Sequence, residues 1–332
     1  MTQPLPVLVT GGAGYIGSHA VLALRDRGTQ VAVIDNLSSG FRFAIPDGVA
    51  FYEGDIEDGE LVARIVAEQG IGAVMHFAGS IIVPESVENP LKYYHNNTAK
   101  SRSLLEAVVT AGVKHFIFSS TAATYGIPES SPVTEDLPKQ PINPYGWSKL
   151  MTEQMLADTA AAHDLNFCVL RYFNVAGADP KLRTGQSTSG ATHLIKVAVE
   201  TALGLRNRIE VFGTDYPTRD GTCIRDYIHV SDLIAAHTDA LRFLRAGGRA
   251  ATFNCGYGHG FSVHEAIAMV KEVSGVDFPV DYAPRRPGDP AEIVASSRRI
   301  RDALGWTPRF DNLNTICTHA LAWQRKLVQR NA

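Results

Sequence analysis

Val7-Leu8-Val9-Thr10 runs directly into Gly11-Gly12-Ala13-Gly14-Tyr15-Ile16-Gly17, and this junction narrows the possible folds more than any other stretch of the chain. A short, continuous apolar run is the pattern of a strand buried on both faces. Apolar residues then recur at helical spacing over residues 15–27, and Gly28 supplies a closing position. A buried strand that turns within a few residues into a helix is the opening of a parallel βαβ unit.

The same alternation repeats downstream. Val31-Ala32-Val33-Ile34-Asp35, Ala73-Val74-Met75-His76-Phe77, His115-Phe116-Ile117-Phe118-Ser119-Ser120 and Phe167-Cys168-Val169-Leu170-Arg171 read as further strands. Residues 91–112 and 146–163 read as helices between them. Strand–helix alternation of this kind predicts an α/β fold, a doubly wound parallel sheet with helices on both faces. The pattern loosens after residue 176. A polar loop at 181–190 precedes a helix at 192–204 and a short strand at 209–212, and glycine and proline crowd residues 256–260 and 284–290. With 332 residues there is room for a large domain over 1–178 and a smaller, more irregular one over 179–332. A helix at 230–245, within a returning segment near 226–250, is expected to pack back on the first domain.

The glycine turn defines a ligand. Gly11 permits the tight turn, Gly14 lets the backbone approach a pyrophosphate, and Gly17 lets helix and strand pack closely. The helix that starts at Tyr15 and Ile16 offers free N–H groups and the positive end of its dipole to phosphate. Asp35 ends the second strand, eighteen residues past Gly17 (35 − 17). A carboxylate there accepts hydrogen bonds from ribose hydroxyls and repels a 2′-phosphate, which favours NAD over NADP. Asp55, after Glu53-Gly54, either meets the adenine edge or is a surface acid. His76-Phe77-Ala78-Gly79 ends a strand where small residues allow the dinucleotide to approach.

Tyr145 and Lys149 lie one helical turn apart, so both project from one face. A free phenol loses its proton near pH ~10, and an adjacent ammonium favours the phenolate. Such a phenol can take the proton of an alcohol while hydride leaves the same carbon. Phe118-Ser119-Ser120-Thr121 ends a strand, and ligands of doubly wound folds bind beyond the carboxyl ends of strands.

Several classes of function are disfavoured by composition. The net charge is -3 with no block of like charge, which argues against nucleic acid or an anionic membrane as main partner. Arg285-Arg286 can still hold a small anion. Cys168, Cys223, Cys255 and Cys317 are scattered without a C-x-x-C pair, as expected in a reducing compartment. The 11 histidines lack paired ligand spacing, so no metal is expected. The chain start has no charged segment or cleavage site, and no apolar run approaches the ~20 residues of a membrane span. The expected location is cytoplasmic.

The glycine turn, Asp35-Asn36-Leu37, Tyr145-x-x-x-Lys149 and Arg171-Tyr172-Phe173-Asn174 together resemble the extended short-chain dehydrogenase/reductases. Within that group the chain is most similar to the UDP-glucose 4-epimerases, also called UDP-galactose 4-epimerases. The strings that carry this likeness are His76-Phe77-Ala78-Gly79, Glu85-Ser86-Val87, Tyr93-Tyr94-His95-Asn96-Asn97, Arg225-Asp226-Tyr227-Ile228-His229-Val230 and Ala283-Pro284-Arg285-Arg286-x-Gly288-Asp289.

The resemblance implies C4 epimerisation of a UDP-hexose with tightly bound NAD. It makes Tyr145 the general base and acid, with Lys149 lowering its pKa and holding the nicotinamide ribose, and Thr121 the hydroxyl on the sugar O4. Asn96, Phe173, Phe77, Ala78, Gly79, Ile56, Asp55 and Asn36 would complete the cofactor site. Asn174, His193, Leu194, Val211, Phe212, Arg225, Arg286, Asp289 and Ile293 would meet the UDP-sugar. The two arginines suit a diphosphate, since guanidinium pairs with phosphate through parallel hydrogen bonds. The resemblance also implies a homodimer joined through the helices near 91–112 and 146–163.

Three positions depart from the family pattern. His193 replaces an amide usual in some relatives, Ile81 stands where many have lysine, and Ile293 occupies the position linked to N-acetyl tolerance. Other 4-epimerisations of UDP-sugars fit the same scaffold. The alternative on this scaffold is a 4,6-dehydratase or a decarboxylase; the dehydratase, which needs an Asp-Glu pair after the hydroxyl residue, is disfavoured by Ala122 and Ala123. A catalytically silent NAD-binding scaffold is disfavoured because Tyr145, Lys149 and Thr121 are all present.

Overall fold

Strictly alternating side chains divide the central strands between two apolar layers, in a computed structural model that describes residues 5–286 and 288–331. The leader-free start read at the N-terminus lies partly outside these residues. The first six strands are β1 (Val7–Thr10), β2 (Val31–Asp35), β3 (Ala50–Glu53), β4 (Ala73–His76), β5 (His115–Thr121) and β6 (Asn166–Tyr172). Beyond them, β7 (Asn174–Ala176) pairs with β10 (Tyr227–His229), and β8 (Ile209–Phe212) with β13 (Val280–Ala283). The short β9 (Ile224–Arg225) lies between β12 (Phe261–Ser262) and β14 (Glu292–Ile293). The remaining strand, β11 (Ala251–Cys255), returns to pair with β6. The main sheet is seven-stranded and parallel, in the order β11-β6-β5-β4-β1-β2-β3. Strand order reverses between β1 and β4, and in such sheets the crevice beyond that point takes the ligand.

Val7, Val9, Val33, Met75, Ile117 and Leu170 face α1 (Tyr15–Asp26) and, from later in the chain, α8 (Val230–Arg245). Leu8, Ile34, Val74, Phe116 and Val169 face α2 (Gly59–Gln69), α5 (Lys100–Thr110) and α6 (Pro144–Ala162). Short helices α3 (Val83–Glu88) and α4 (Pro90–Tyr93) lead into α5. The C-terminal part packs α7 (Leu194–Ala202), α9 (Val263–Ser274) and α11 (Leu313–Asn331) together, with α10 (Arg298–Leu304) against α8.

Three sequence readings need revision. The helix expected over 91–112 is interrupted by a π-helical turn at Tyr94–Ala99, whose wider winding brings Asn96 and Asn97 to the end of the sheet. Wide turns of this kind recur at functional sites. The helix expected from 146 begins at Pro144, because Asn143 Oδ1 caps the Gly146 N–H at 2.8 Å and proline suits the first helical position. Tyr145 is therefore held in the first turn of α6, one full turn before Lys149. The segment that returns to the first sheet extends beyond residue 250 and ends at Cys255.

Candidate active site

A cleft of about 1810 Å³ opens beyond the carboxyl ends of the central strands. The loop at its floor follows from the glycines. Gly11 has φ +68°, and a Cβ there would lie 2.7 Å from Ala78 N, so the turns after β1 and β4 touch without room for a side chain. A Cβ on Gly17 would lie 2.1 Å from Gly11 O, which is the close packing of helix on strand expected there. Gly14 caps α1 without any side-chain partner, leaving the first N–H groups of the helix to the cleft. The Tyr15 side chain faces away from that role: its hydroxyl donates to Gly177 O at 2.7 Å and ties α1 to the end of β7.

Asp35 accepts from Ala13 N and Leu37 N, both at 2.8 Å, and burial pushes its carboxyl up from the usual value. It braces the glycine turn and lines the cleft at once. At the far end Asp55 accepts from Asn36 Nδ2 at 2.9 Å and from Lys100 Nζ at 2.6 Å. Burial raises its pKa, but the bonds from Lys100, the Glu57 N–H and Asn36 outweigh this and hold it below the usual value. Lys100 was not found from the sequence, since nothing local ties it to Asp55. Ile56, Phe77, Ala78 and Gly79 line the same half of the cleft. Asn96 Nδ2 donates to Ser80 Oγ at 3.0 Å, and Asn97, also missed, grips the Ser80 backbone from both sides.

The reacting centre lies where α6 meets the end of β5. Tyr145 is buried, with the Thr121 side chain beside its hydroxyl. Lys149, also buried, donates to Ser119 O at 3.1 Å and sits 5.0 Å from the Phe118 ring centroid. The expected acidification of Tyr145 by Lys149 is corrected here. Burial pushes the phenol above its ordinary value, and the Thr121 hydroxyl is what pulls it back. Desolvation dominates because both groups are enclosed, and it also lowers Lys149 to about 8, against the upward pull of Glu153.

The opposite wall is built from the C-terminal part. Arg225 donates to Pro290 O at 2.8 Å and lies 3.5 Å from Asp289 Oδ1. The Arg286 guanidinium stacks over Phe212, 3.7 Å from the ring centroid. His193 is the N-cap of α7 but gives no side-chain cap, and its Nδ1 meets Gln186 Nε2 at 3.0 Å. Burial lowers its pKa. Asn174, Phe173 and Leu194 line the cleft beside it.

Ile293 is buried against Ala122, Tyr125, Val133 and Phe173, while Ile81 lines the cleft with half its surface exposed. Val211 is the exception among the candidate residues. Its side chain is buried in the main core and is not part of the cleft lining, whereas Phe212 next to it is.

The cradle suits NAD. The uncapped start of α1, the side-chain-free turn at Gly11 and Gly14, and a carboxylate without a nearby basic group in that turn match a dinucleotide lacking a 2′-phosphate. Among the described residues no group of three His, Cys, Asp or Glu is placed to hold a metal. Nor is any helix long and apolar enough to cross a membrane.

Residues 7–256 match the NAD dependent epimerase/dehydratase family. The chain belongs to this family. It is similar to the UDP-glucose 4-epimerase of Azospirillum brasilense, 59% identical over 97% of this chain and 93% of that one. It is also similar to the crystal structure of UDP-glucose-4-epimerase from Stenotrophomonas maltophila with bound NAD and formylated UDP-arabinopyranose. That match has a TM-score of 0.95 and 40% identity, over 99% of this chain and 100% of that one. The UDP-glucose 4-epimerase from Brucella ovis in complex with NAD matches with a TM-score of 0.94 and 42% identity, over 96% and 98% of the two chains. In this member of the NAD dependent epimerase/dehydratase family, then, glycine turn, phenol and arginines share one cleft.

Proposed function

We propose that the chain interconverts UDP-glucose and UDP-galactose by inverting C4 through a transient 4-keto sugar, with NAD retained between turnovers. The observation that carries this reading is that Tyr145, Thr121 and Lys149 line the same cleft as the uncapped start of α1 and the Arg225–Arg286 wall. Bound NAD would supply a reversible hydride acceptor. Thr121 holds the sugar O4, Tyr145 takes the O4 proton and later returns it, and Lys149 keeps a cation beside the pair while binding the nicotinamide ribose. Asn96 and Phe173 border the nicotinamide, and Asp35, Asn36, Asp55, Ile56 and Phe77 the adenosine. Arg225 and Arg286 hold the diphosphate, with the start of α7 at His193 and Leu194.

Residues 1–178 with the segment 226–255 form the NAD-binding domain, and the rest mainly binds the UDP-sugar. A homodimer formed through the α4–α5 and α6 faces fits the exposed Leu91, Trp147 and Met151. A cytoplasmic role in galactose metabolism suits the reaction. Ala122 and Ala123 follow Thr121 without an ionisable group, which weighs against a dehydratase.

The test is incubation of purified protein with UDP-galactose and no added NAD. UDP-glucose should appear, and NAD(H) should be released on denaturation. A protein that purifies without nucleotide and consumes NAD stoichiometrically is a dehydrogenase, and the reading fails.

A further inference from the structure

Three consecutive residues at the end of β5 are each engaged by a different turn of α6. Thr121 lies beside Tyr145, the Ser119 carbonyl takes the Lys149 ammonium at 3.1 Å, and Ser120 Oγ donates to Glu153 Oε1 at 2.5 Å. The first two contacts belong to the reacting centre. The third does not reach the cleft: Glu153 is buried and is absent from the cleft lining. Its carboxylate is fixed again by Arg171 of β6, whose Nε donates to Oε1 at 3.0 Å and Nη2 to Oε2 at 2.5 Å. Arg171 leans onward through Nη1 to Tyr125 OH at 2.8 Å, which donates to Asn254 Oδ1 of β11 at 2.7 Å. A carboxylate enclosed with a paired guanidinium is an expensive device for holding a helix in place, and apolar packing would do that as well.

We propose that Glu153 is a positioning residue for the Tyr145–Lys149 pair: anchored by Ser120 and Arg171, its carboxylate keeps Lys149 charged and fixes the register of α6 on the end of β5. The inference rests on the reading of Lys149 as the cation of the reacting centre. Glu153 lies one helical turn beyond Lys149, within the range of a neighbouring charge.

The other groups packed around Lys149 supply little opposing charge. His76 of β4 is pushed down to about 3 by burial and by Lys149 itself, and His237 of α8, bonded to Ser119 Oγ at 2.8 Å, to about 4 by burial, so both are neutral in the working range. Tyr172 of β6 and Tyr93 of α4, the latter edge-on to the Tyr145 ring, are both raised by burial and stay protonated. Glu85 lies behind Tyr93, bonded to its hydroxyl at 2.8 Å. Arg171 spends its Nε and Nη2 on Glu153 and its Nη1 on Tyr125. Among these groups Glu153 is the carboxylate that raises the Lys149 pKa.

The experiment is a pH titration of the Lys149 side chain by NMR in the purified, nucleotide-loaded protein carrying isotope-labelled lysine, with the signal assigned by its loss in Lys149→Met. Glu153→Gln should lower the midpoint by about one pH unit, the usual effect of one close charge. The basic limb of the kcat–pH profile should move down with it. Glu153→Asp, which keeps the charge, should return the midpoint toward the starting value. Because Glu153→Gln leaves Arg171 without its partner, the Glu153→Gln/Arg171→Met pair is measured as well, with a smaller fall expected. A midpoint unchanged in both variants overturns the inference. Absence of epimerisation by the unaltered protein would instead sink the proposed function, and the NMR titration separates the two failures.

Discussion

Gly11→Ala should damage the protein in a way that an equally left-handed glycine elsewhere does not. Gly11 and Gly28 have φ of +68° and +72°, so alanine at either pays the same left-handed penalty, about 1–2 kcal/mol. At Gly28 nothing lies within 4 Å of the new Cβ, and the penalty is the whole effect. At Gly11 the Cβ would meet Ala78 N at 2.7 Å, Ala78 Cα at 2.8 Å and the Phe77 carbonyl carbon at 3.0 Å. Ordinary contact begins near 3.4 Å, so the backbone after β4 must retreat by 0.7 Å (3.4 − 2.7). Overpacking of this kind adds about 1–3 kcal/mol. The total for Gly11→Ala is then about 2–5 kcal/mol, two to three times that for Gly28→Ala. At about 2–4 °C per kcal/mol, Gly28→Ala should lower Tm by a few degrees and Gly11→Ala by roughly ten. The retreating backbone is the Phe77–Ala78 stretch of the cofactor cradle, so Gly11→Ala should also lose bound NAD(H), while Gly28→Ala keeps it. The assays are thermal unfolding and nucleotide released on denaturation, on all three proteins. If Gly11→Ala matches Gly28→Ala in Tm and retains its nucleotide, the close approach of the two turns does not shape the site.

Tyr145→Phe removes the proton acceptor and should lower kcat by ~10²–10⁴, measured as UDP-galactose turnover; near-normal turnover would take Tyr145 out of the chemistry. Lys149, lowered from 10.5 to about 8 by burial, should lose its charge as pH rises through about 8, so kcat should fall along that limb. Its effect on stability has the opposite sign. Between about 8 and 10.5 the unfolded chain still binds this proton while the folded chain has released it, so folding gains with rising pH. In nucleotide-stripped protein, the Tm advantage of Lys149→Met should therefore narrow between pH 7 and 9.5, and a constant gap would contradict the shift. Ile293→Gly should improve relative turnover efficiency on the N-acetyl forms of the UDP-sugars roughly ten- to hundredfold, the value of ~1–3 kcal/mol for an amide left unpaired at the apolar wall. It should also cost stability, because Ile293 packs on Tyr125, Val133 and Phe173. An unchanged preference would remove it as the gate.

What the sequence determined is what short-range chemistry can encode. The strand-to-helix turn at Gly11–Gly17, the carboxylate ending β2 and the one-turn spacing of Tyr145 and Lys149 each depend on residues within a few positions, and each lies in the cleft as read. The π-helical turn at Tyr94–Ala99 escaped because its sequence also satisfies an ordinary helix, and only the demands of Asn96 and Asn97 on Ser80 distinguish the two. Val211 is enclosed by the core that forms where β8 pairs with β13, and residues 209–212 alone do not announce that enclosure. Lys100 with Asp55, and Glu153 with Arg171, are joined across different elements, and neither pair leaves a local signature. The polarity of the Tyr145 shift was likewise decided by tertiary structure. A neighbouring ammonium is visible in the sequence, but enclosure of both groups is a property of the packed sheet and helix, and that burial raises the phenol and lowers the ammonium.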